Sequence, residues 1–163
     1  MEKSRVTKYK KIRELSLDDF NEITLTHPFS KLEGADSFWD YAVPLVEADH
    51  VTDDAGTGFV HIAPSHGAED FEVFLKRGWL SRMTNNVEDD SSFSTAVPFF
   101  KGLQIFNKKG KEGEANRAVI QKLIEANKLI ARGILEHSYP HSWRSRAPVI
   151  FRNTPQWLSL IHI

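Results

Sequence analysis

Apolar residues in this chain come in short runs, and proline cuts most of them. Ala42 to Val46 contains Pro44, Gly58 to Ala63 stops at Pro64, and Ala96 to Phe100 is broken by Pro98. Proline has no amide hydrogen to give to a helix or a central strand, so these runs suit short strands, edge strands or extended loops. None approaches the ~20 apolar residues of a membrane-spanning helix. A composition of 40% hydrophobic and 26% charged residues excludes collagen-like, disordered and coiled-coil classes. The 163 residues correspond to one domain, or to a piece of something larger, and can bury a core without staples. The absence of cysteine excludes a disulfide framework, a zinc finger and a thiol nucleophile, and is compatible with a reducing cytoplasm. The basic opening MEKSRVTKYKK precedes no apolar stretch and is not read as a secretory signal.

Between the prolines, the pattern predicts a mixed α and β chain in which strands dominate. Ile23 to Thr26 alternates apolar and polar residues as a half-buried strand does, and His27-Pro28 ends it. Ala42 to Val46 suits an edge strand. Asp53-Asp54-Ala55-Gly56 is a turn signal, and Gly58 to Ala63 then reads as a buried strand. From Glu69 to Arg77 the period becomes helical, with Phe71, Phe74 and Leu75 on one side and Gly78 as the stop. Residues 84–95 read as a polar loop, and Val97 to Phe106 as a strand pair or a strand plus turn, closed by Asn107 to Gly110. The clearest amphipathic helix runs from Glu114 to Asn127, with Ala115, Val119, Leu123 and Ala126 on its apolar face. Leu129 to Glu136 returns to strand-like character. Phe71, Phe74, Phe99, Phe100 and Phe106 are read as core.

The net charge is −1, so no global field marks a nucleic-acid or membrane partner. Basic groups nonetheless cluster at Lys3, Arg5, Lys8, Lys10, Lys11 and Arg13, again at Lys101, Lys108, Lys109 and Lys111, and again at Arg132, Arg144, Arg146 and Arg152. Glu88, Asp89 and Asp90 form an acidic group. Solvated faces are favoured over phosphate contacts for these clusters.

The chemistry-bearing run is Gly56 to Phe71, GTGFVHIAPSHGAEDF. Its Gly-x-Gly pair precedes a strand and lacks the third glycine of a dinucleotide loop, so a tight turn or bulge is the better reading. His61 closes the expected strand, His66-Gly67 turns the chain, and Glu69 and Asp70 fall in the first turn of a helix. Acidic groups there compensate the helix dipole, which is the bland account of both. The functional account has His61 and Asp70 facing one pocket across the strand–helix corner. His61, His66 and Asp70 are also metal-ligand types close in sequence, but no second ligand cluster accompanies them, and no metal is assigned.

This run resembles the editing insertion of class I isoleucyl-tRNA synthetases, in its Val-His-x-Ala-Pro-x-His-Gly-x-x-Asp-Phe form. The corresponding corner of the valine and leucine enzymes reads Pro-Ala-His-Asp. A second match, His137 to Trp157, HSYPHSWRSRAPVIFRNTPQW, is similar to the stretch where that insertion returns to the catalytic domain. The family's Trp-Thr-Leu-Pro editing core and its His-Ile-Gly-His and Lys-Met-Ser-Lys-Ser signatures do not occur in these residues. Leu158 to Ile163 also departs from the family pattern.

The resemblance implies a β-barrel-like editing domain flanked by helices, incomplete on its N-terminal side. It divides the chain into a basic segment at 1–20, an editing portion at 21–136, a connector at 137–157 and an atypical tail at 158–163, read as a truncation or junction product. It implies hydrolysis of valine mischarged onto the tRNA for isoleucine. Asp70 matches the carboxylate that holds the substrate's α-ammonium group. His61 matches the residue that crowds the amino-acid side chain, a size filter. Gly56, Thr57 and Gly58 would let backbone approach the terminal adenosine, and His66 is either a substrate contact or a turn-stabilising residue. The implied partners are the tRNA 3′ end carrying a mischarged amino acid and the rest of the synthetase chain, with no membrane and a cytoplasmic location. No cofactor is implied for this portion, since ATP and Mg belong to the catalytic domain of the whole enzyme. Two other readings compete: a catalytically inactive remnant or weak tRNA-binding module lacking the threonine-rich segment, and an unrelated metal hydrolase using His61, His66 and Asp70. For Trp143, Arg144 and Arg146, a connector that packs Trp143 against the domain is favoured over RNA contact, and structural packing is favoured for the Glu114 helix.

Overall fold

A computed structural model describes residues 8, 10–21, 23–52, 58–134 and 138–154. Its elements are helix α1 (Leu17–Asn21), strands β1 (Thr24–Thr26) and β2 (Ala42–Pro44), helix α2 (Ala68–Lys76), a 3₁₀ turn at Leu80–Arg82 and helix α3 (Ala115–Glu125). The chain is thus mixed α and β, as its pattern predicts. β1 and β2 pair antiparallel, with Thr24 opposite Pro44 and Thr26 opposite Ala42. Pro44 stands at the end of an edge strand, where its missing amide costs no ladder bond. The half-buried alternation expected of β1 is not realised, because all three of its residues are exposed.

The core lies where two irregular loops meet α3. Phe29, Ala35, Trp39, Val97 and Phe100 are buried together, and Val119, Leu123 and Ala126 of the α3 region pack against them. Successive turns bring Phe29 to Trp39 inward: Leu32 N–H donates to Phe29 O at 3.3 Å, Ala35 N–H to Leu32 O at 3.2 Å and Phe38 N–H to Ala35 O at 2.8 Å. Asp40 fastens this coil by accepting from Lys31 N–H at 2.7 Å and from the Ser30 hydroxyl at 2.9 Å. Those two bonds hold its carboxyl below the ordinary carboxylate pKa, the backbone bond counting most. Phe29 meets Trp39 edge-on at 5.8 Å and Phe100 at 5.7 Å. Each such aromatic side chain contributes about 1.5–3 kcal/mol on burial.

Residues 84–95, read as a loop, instead open a meander. Val87 bridges Phe93, Ser92 bridges Gln104 and Phe106 bridges Glu112. The bridges are single, so most of 84–95 remains loop, as its polar side chains suggest. The hairpin at Asn107 to Gly110 is present, closed by Asn107 N–H to Lys111 O at 2.8 Å.

Two expected strands are not formed. Gly58 to Ala63 is extended but belongs to no strand, with Val60 59% exposed. Residues 129–134 likewise have no strand partner among the described residues, and Ile130 and Ile134 are almost wholly exposed. Their apolar pattern fits a strand, yet a strand exists only where a neighbour supplies its hydrogen bonds. Among the described residues the β structure stops short of a closed barrel, which needs every edge paired.

Both expected helices form. Gly78 ends α2 in the left-handed region at φ +68°, which a residue with a Cβ adopts at a cost. The buried residue of α2 is Val73, whereas Phe71 and Leu75 are exposed, so the inward face is rotated from the predicted one. Phe74 instead packs edge-on against Trp79 at 5.8 Å. The turn at Asp53 to Gly56, residues 135–137 and the tail from 155 lie outside the described residues.

Candidate functional site

Pro64 stops the extended segment, and the next residues turn sharply into α2. His66 N–H and Gly67 N–H both donate to Ala63 O, at 2.9 and 3.0 Å. Gly67 caps α2 without a side chain. Asp70, in the first helical turn, reaches back so that its Oδ2 accepts the Ala63 N–H at 2.8 Å. The carboxylate pairs an amide that the turn leaves open, and its charge sits at the favourable end of the helix. A Cβ on Gly67 would stand 3.0 Å from that same oxygen, so any larger residue would have to displace the carboxylate slightly.

The other oxygen, Oδ1, lies 3.2 Å from Nε2 of His50, and the Asp70 and His50 side chains are 17% and 22% exposed. Nε2 is enclosed and has no aligned hydrogen-bond partner among the described residues, so the contact is a close approach rather than a formed hydrogen bond. The turn bearing His50 meets α2 at its far end too, where Lys76 Nζ is 3.7 Å from Asp49 Oδ2. His50 carries no sequence signal: it is an isolated histidine in a polar stretch, twenty residues before Asp70.

The turn itself is held from the far end of the chain. Buried Ser65 donates its hydroxyl to Thr84 O at 2.6 Å and accepts Asn153 N–H at 2.7 Å. His66 Nδ1–H donates to Phe151 O at 2.7 Å, which fixes its tautomer. Arg152, between them, donates to Val87 O at 3.0 Å and pairs with Asp89. His66 therefore has a turn-stabilising bond, and Arg152 of the third basic cluster has an acidic partner.

His61 lies exposed on the extended segment rather than at the end of a buried strand. Its charge is felt by His27, whose imidazole is held below the ordinary histidine pKa by burial first and by His61 second. His27 stacks on Trp39 at 4.3 Å, and its Nδ1 accepts the Phe29 N–H at 3.1 Å. Among the described residues, the polar groups within reach of the Asp70 carboxylate are the Ala63 amide and His50, not His61. Gly58 adopts φ +73° with open space where a Cβ would stand, so backbone conformation alone demands glycine there. Gly56 and Thr57 lie outside the described residues.

Among the described residues no three His, Asp or Glu side chains gather as a metal site. Two open clefts lie elsewhere. One of about 390 Å³ is lined by Leu103, Glu114, Arg117, Ala118 and Gln121, and one of about 490 Å³ by the turns around Asp36 and Pro98. Trp143 does not pack against the domain as expected: it is 83% exposed at the tip of a hairpin bridged by His141 and Pro148. Arg144 lies 4.9 Å over its ring.

No family model matches the chain. It is 49% identical over 161 residues to the isoleucine–tRNA ligase of Bradyrhizobium diazoefficiens, covering 94% of this chain and 16% of that enzyme. To the isoleucine–tRNA ligase of Ruegeria pomeroyi it is 53% identical over 138 residues, 84% of this chain and 14% of the relative. To that of Caulobacter vibrioides it is 53% identical over 143 residues, 85% and 14%. The chain belongs to the isoleucine–tRNA ligase family. It spans about one-sixth of the length of these curated relatives. In this isoleucine–tRNA ligase segment the two motif blocks, far apart in sequence, are joined in space by the Ser65–Asn153 and His66–Phe151 bonds.

Proposed function

We propose that this segment carries the hydrolytic editing site of an isoleucine–tRNA ligase, clearing valine mischarged onto the tRNA for isoleucine. Isoleucine and valine differ by one methylene, from which a hydrophobic pocket extracts only about 1–3 kcal/mol, a limit for which this amino-acid pair is the standard illustration. A second site that excludes the larger side chain and hydrolyses the smaller ester closes the gap. The full site would include the family's threonine-rich segment and a closed barrel, to which the described sheet and meander contribute one side. The 21–136 portion would supply the site and the 137–157 connector would join it to the catalytic domain. The tRNA 3′ end is its substrate, the rest of the synthetase its partner, and the cytoplasm its location. ATP and Mg serve the aminoacylation site elsewhere in the whole enzyme, and editing at this corner uses neither.

The observation that carries this reading is the Asp70 carboxylate, fixed at the α2 N-terminus and only partly covered. A carboxylate has about four acceptor positions; the Ala63 amide takes one on Oδ2, and His50 lies close to Oδ1. The remaining positions suit the α-ammonium of an aminoacyl ester, a charge-assisted contact that fixes the ester for attack by water. His61 stands seven residues before α2 as the side-chain filter, and Gly56, Thr57 and Gly58 would bring backbone to the adenosine. His66 acts in support, by holding the turn.

The test uses the full-length ligase containing this segment. Asp70→Asn keeps an acceptor for the Ala63 amide but removes the charge, so it separates anchoring from folding. It is expected to reduce valyl-tRNA hydrolysis by about 2–4 kcal/mol, roughly 30- to 1000-fold, with the melting temperature close to the parent. Unchanged deacylation in that variant removes Asp70 from the site.

A further inference from the structure

We propose that His50 is a positioning residue for the Asp70 carboxylate, and that it sets how strongly the site discriminates for a free α-ammonium group. This rests on the reading of Asp70 as the ammonium anchor. Asp70 is held at two points of different kinds. Oδ2 is fixed by a backbone amide of its own turn at 2.8 Å, which leaves rotation about the end of the side chain as its remaining freedom. Oδ1 is met at 3.2 Å by Nε2 of His50, a ring nitrogen that is closed off from solvent and has no other polar partner among the described residues. The Asp70 carboxylate is the polar group this enclosed nitrogen faces, within hydrogen-bond reach although not aligned as a bond in this structure. His50 is also not free to drift. Its turn is closed by Val51 N–H to Ala48 O at 3.1 Å, and Asp49 beside it is 3.7 Å from Lys76 on the last turn of α2. The Lys76–Asp49 pair is exposed and adds little, so the contact of this turn with α2 that matters is the one at Asp70.

The consequence is geometric. With Oδ2 bonded to the turn and Oδ1 faced by His50, the ring restricts the plane of the carboxylate before substrate arrives. Without His50, Oδ1 can swing about the Oδ2 anchor, and the ammonium contact loses the alignment on which its strength depends. A displacement of this kind typically costs up to ~100-fold in rate. The loss falls on substrates with an ammonium group and spares those without one.

The experiment compares hydrolysis of valyl-tRNA and N-acetylvalyl-tRNA by the full-length ligase and its variants, with melting temperatures alongside. The parent is expected to prefer the free amine strongly. His50→Leu, which fills the volume without a donor, is expected to lower that preference by ~10- to 100-fold while hydrolysing N-acetylvalyl-tRNA as the parent does. His50→Gln, whose amide N–H reaches about as far as Nε2, is expected to restore the preference to within a few-fold of the parent. A parent with no preference for the free amine overturns the anchor reading and this proposal with it. A parent with the preference and a His50→Leu variant that retains it overturns the proposal alone. Equal losses on both esters, with Gln no better than Leu, assign His50 a merely structural role and also overturn it.

Discussion

His61 and Asp70 stand nine residues apart, and their surroundings assign them different work. Asp70 is tied to its own turn and faces His50, whereas His61 is exposed on an extended stretch that forms no strand and lowers the pKa of His27. An exposed ring with no carboxylate to orient it is poorly arranged as a general base, which needs a partner to fix its tautomer. It is well arranged to occupy space beside a substrate side chain. His61→Ala in the full-length ligase is therefore expected to admit isoleucyl-tRNA to hydrolysis while valyl-tRNA hydrolysis continues at a comparable rate. Loss of a general base would instead lower both by ~10²–10⁴-fold. Parallel deacylation assays on the two esters decide it, and equal loss on both, with the fold intact, sinks the filter role.

At the scale of elements, the junction between the meander and α3 is the most tightly specified place in the chain. Gly113 N–H donates to Ile105 O at 2.8 Å, and Ala115 N–H donates to Gln104 O at 3.1 Å, so the helix starts directly against the strand-like segment. A Cβ on Gly113 would overlap the Gln104 carbonyl oxygen, a backbone atom that cannot step aside. Gly113→Ala is expected to destabilise the protein by about 1–3 kcal/mol, read from denaturant midpoints, although alanine is otherwise the better residue beside a helix. A midpoint equal to the parent would show that the meander and α3 are not packed this way. The same junction explains what was legible beforehand. α3 was readable because Ala115, Val119, Leu123 and Ala126 repeat at helical spacing, and that periodicity is a local property. α2 was readable in extent but not in orientation: three large apolar residues suggested one face, and packing selected Val73 instead. The stretch at 58–63 reads as a strand because Phe59, Val60 and Ile62 have strand character, while strand formation depends on a neighbour that local sequence does not specify. At the site, Asp70 was legible from its place in the corner. His50 and the Phe151–Asn153 clamp were not, because each acts across a long sequence separation through one or two polar atoms.

For the molecule as a whole, the exposed apolar residues follow a pattern. Val60 is 59% exposed, Ile130 and Ile134 are almost wholly exposed, Trp143 is 83% exposed and Phe151 58%. They lie on stretches without regular structure, whereas the core residues Phe29, Val97 and Phe100 are 2–4% exposed. Apolar surface in this amount on such stretches marks contact with another part of a protein, and the relatives of this chain are about six times its length. Residues 60–62 and 129–134 also make no backbone hydrogen bond among the described residues. Hydrogen exchange offers the test, because it reports opening segment by segment. In the 163-residue chain, the amides of 60–62 and 129–134 are expected to exchange without protection, while those of α3 and of the Gln104–Gly113 junction are slowed. In the full-length ligase the same two stretches are expected to become protected, since strand-like sequence finds there the partners that this segment does not supply. Protection of 60–62 that appears only in the full-length enzyme would fit a barrel completed by another part of the chain, with His61 held on a paired strand beside the substrate. Equal exchange at 60–62 and 129–134 in both forms would mean that these stretches are solvent-facing by design, and that the apolar surface has some other partner.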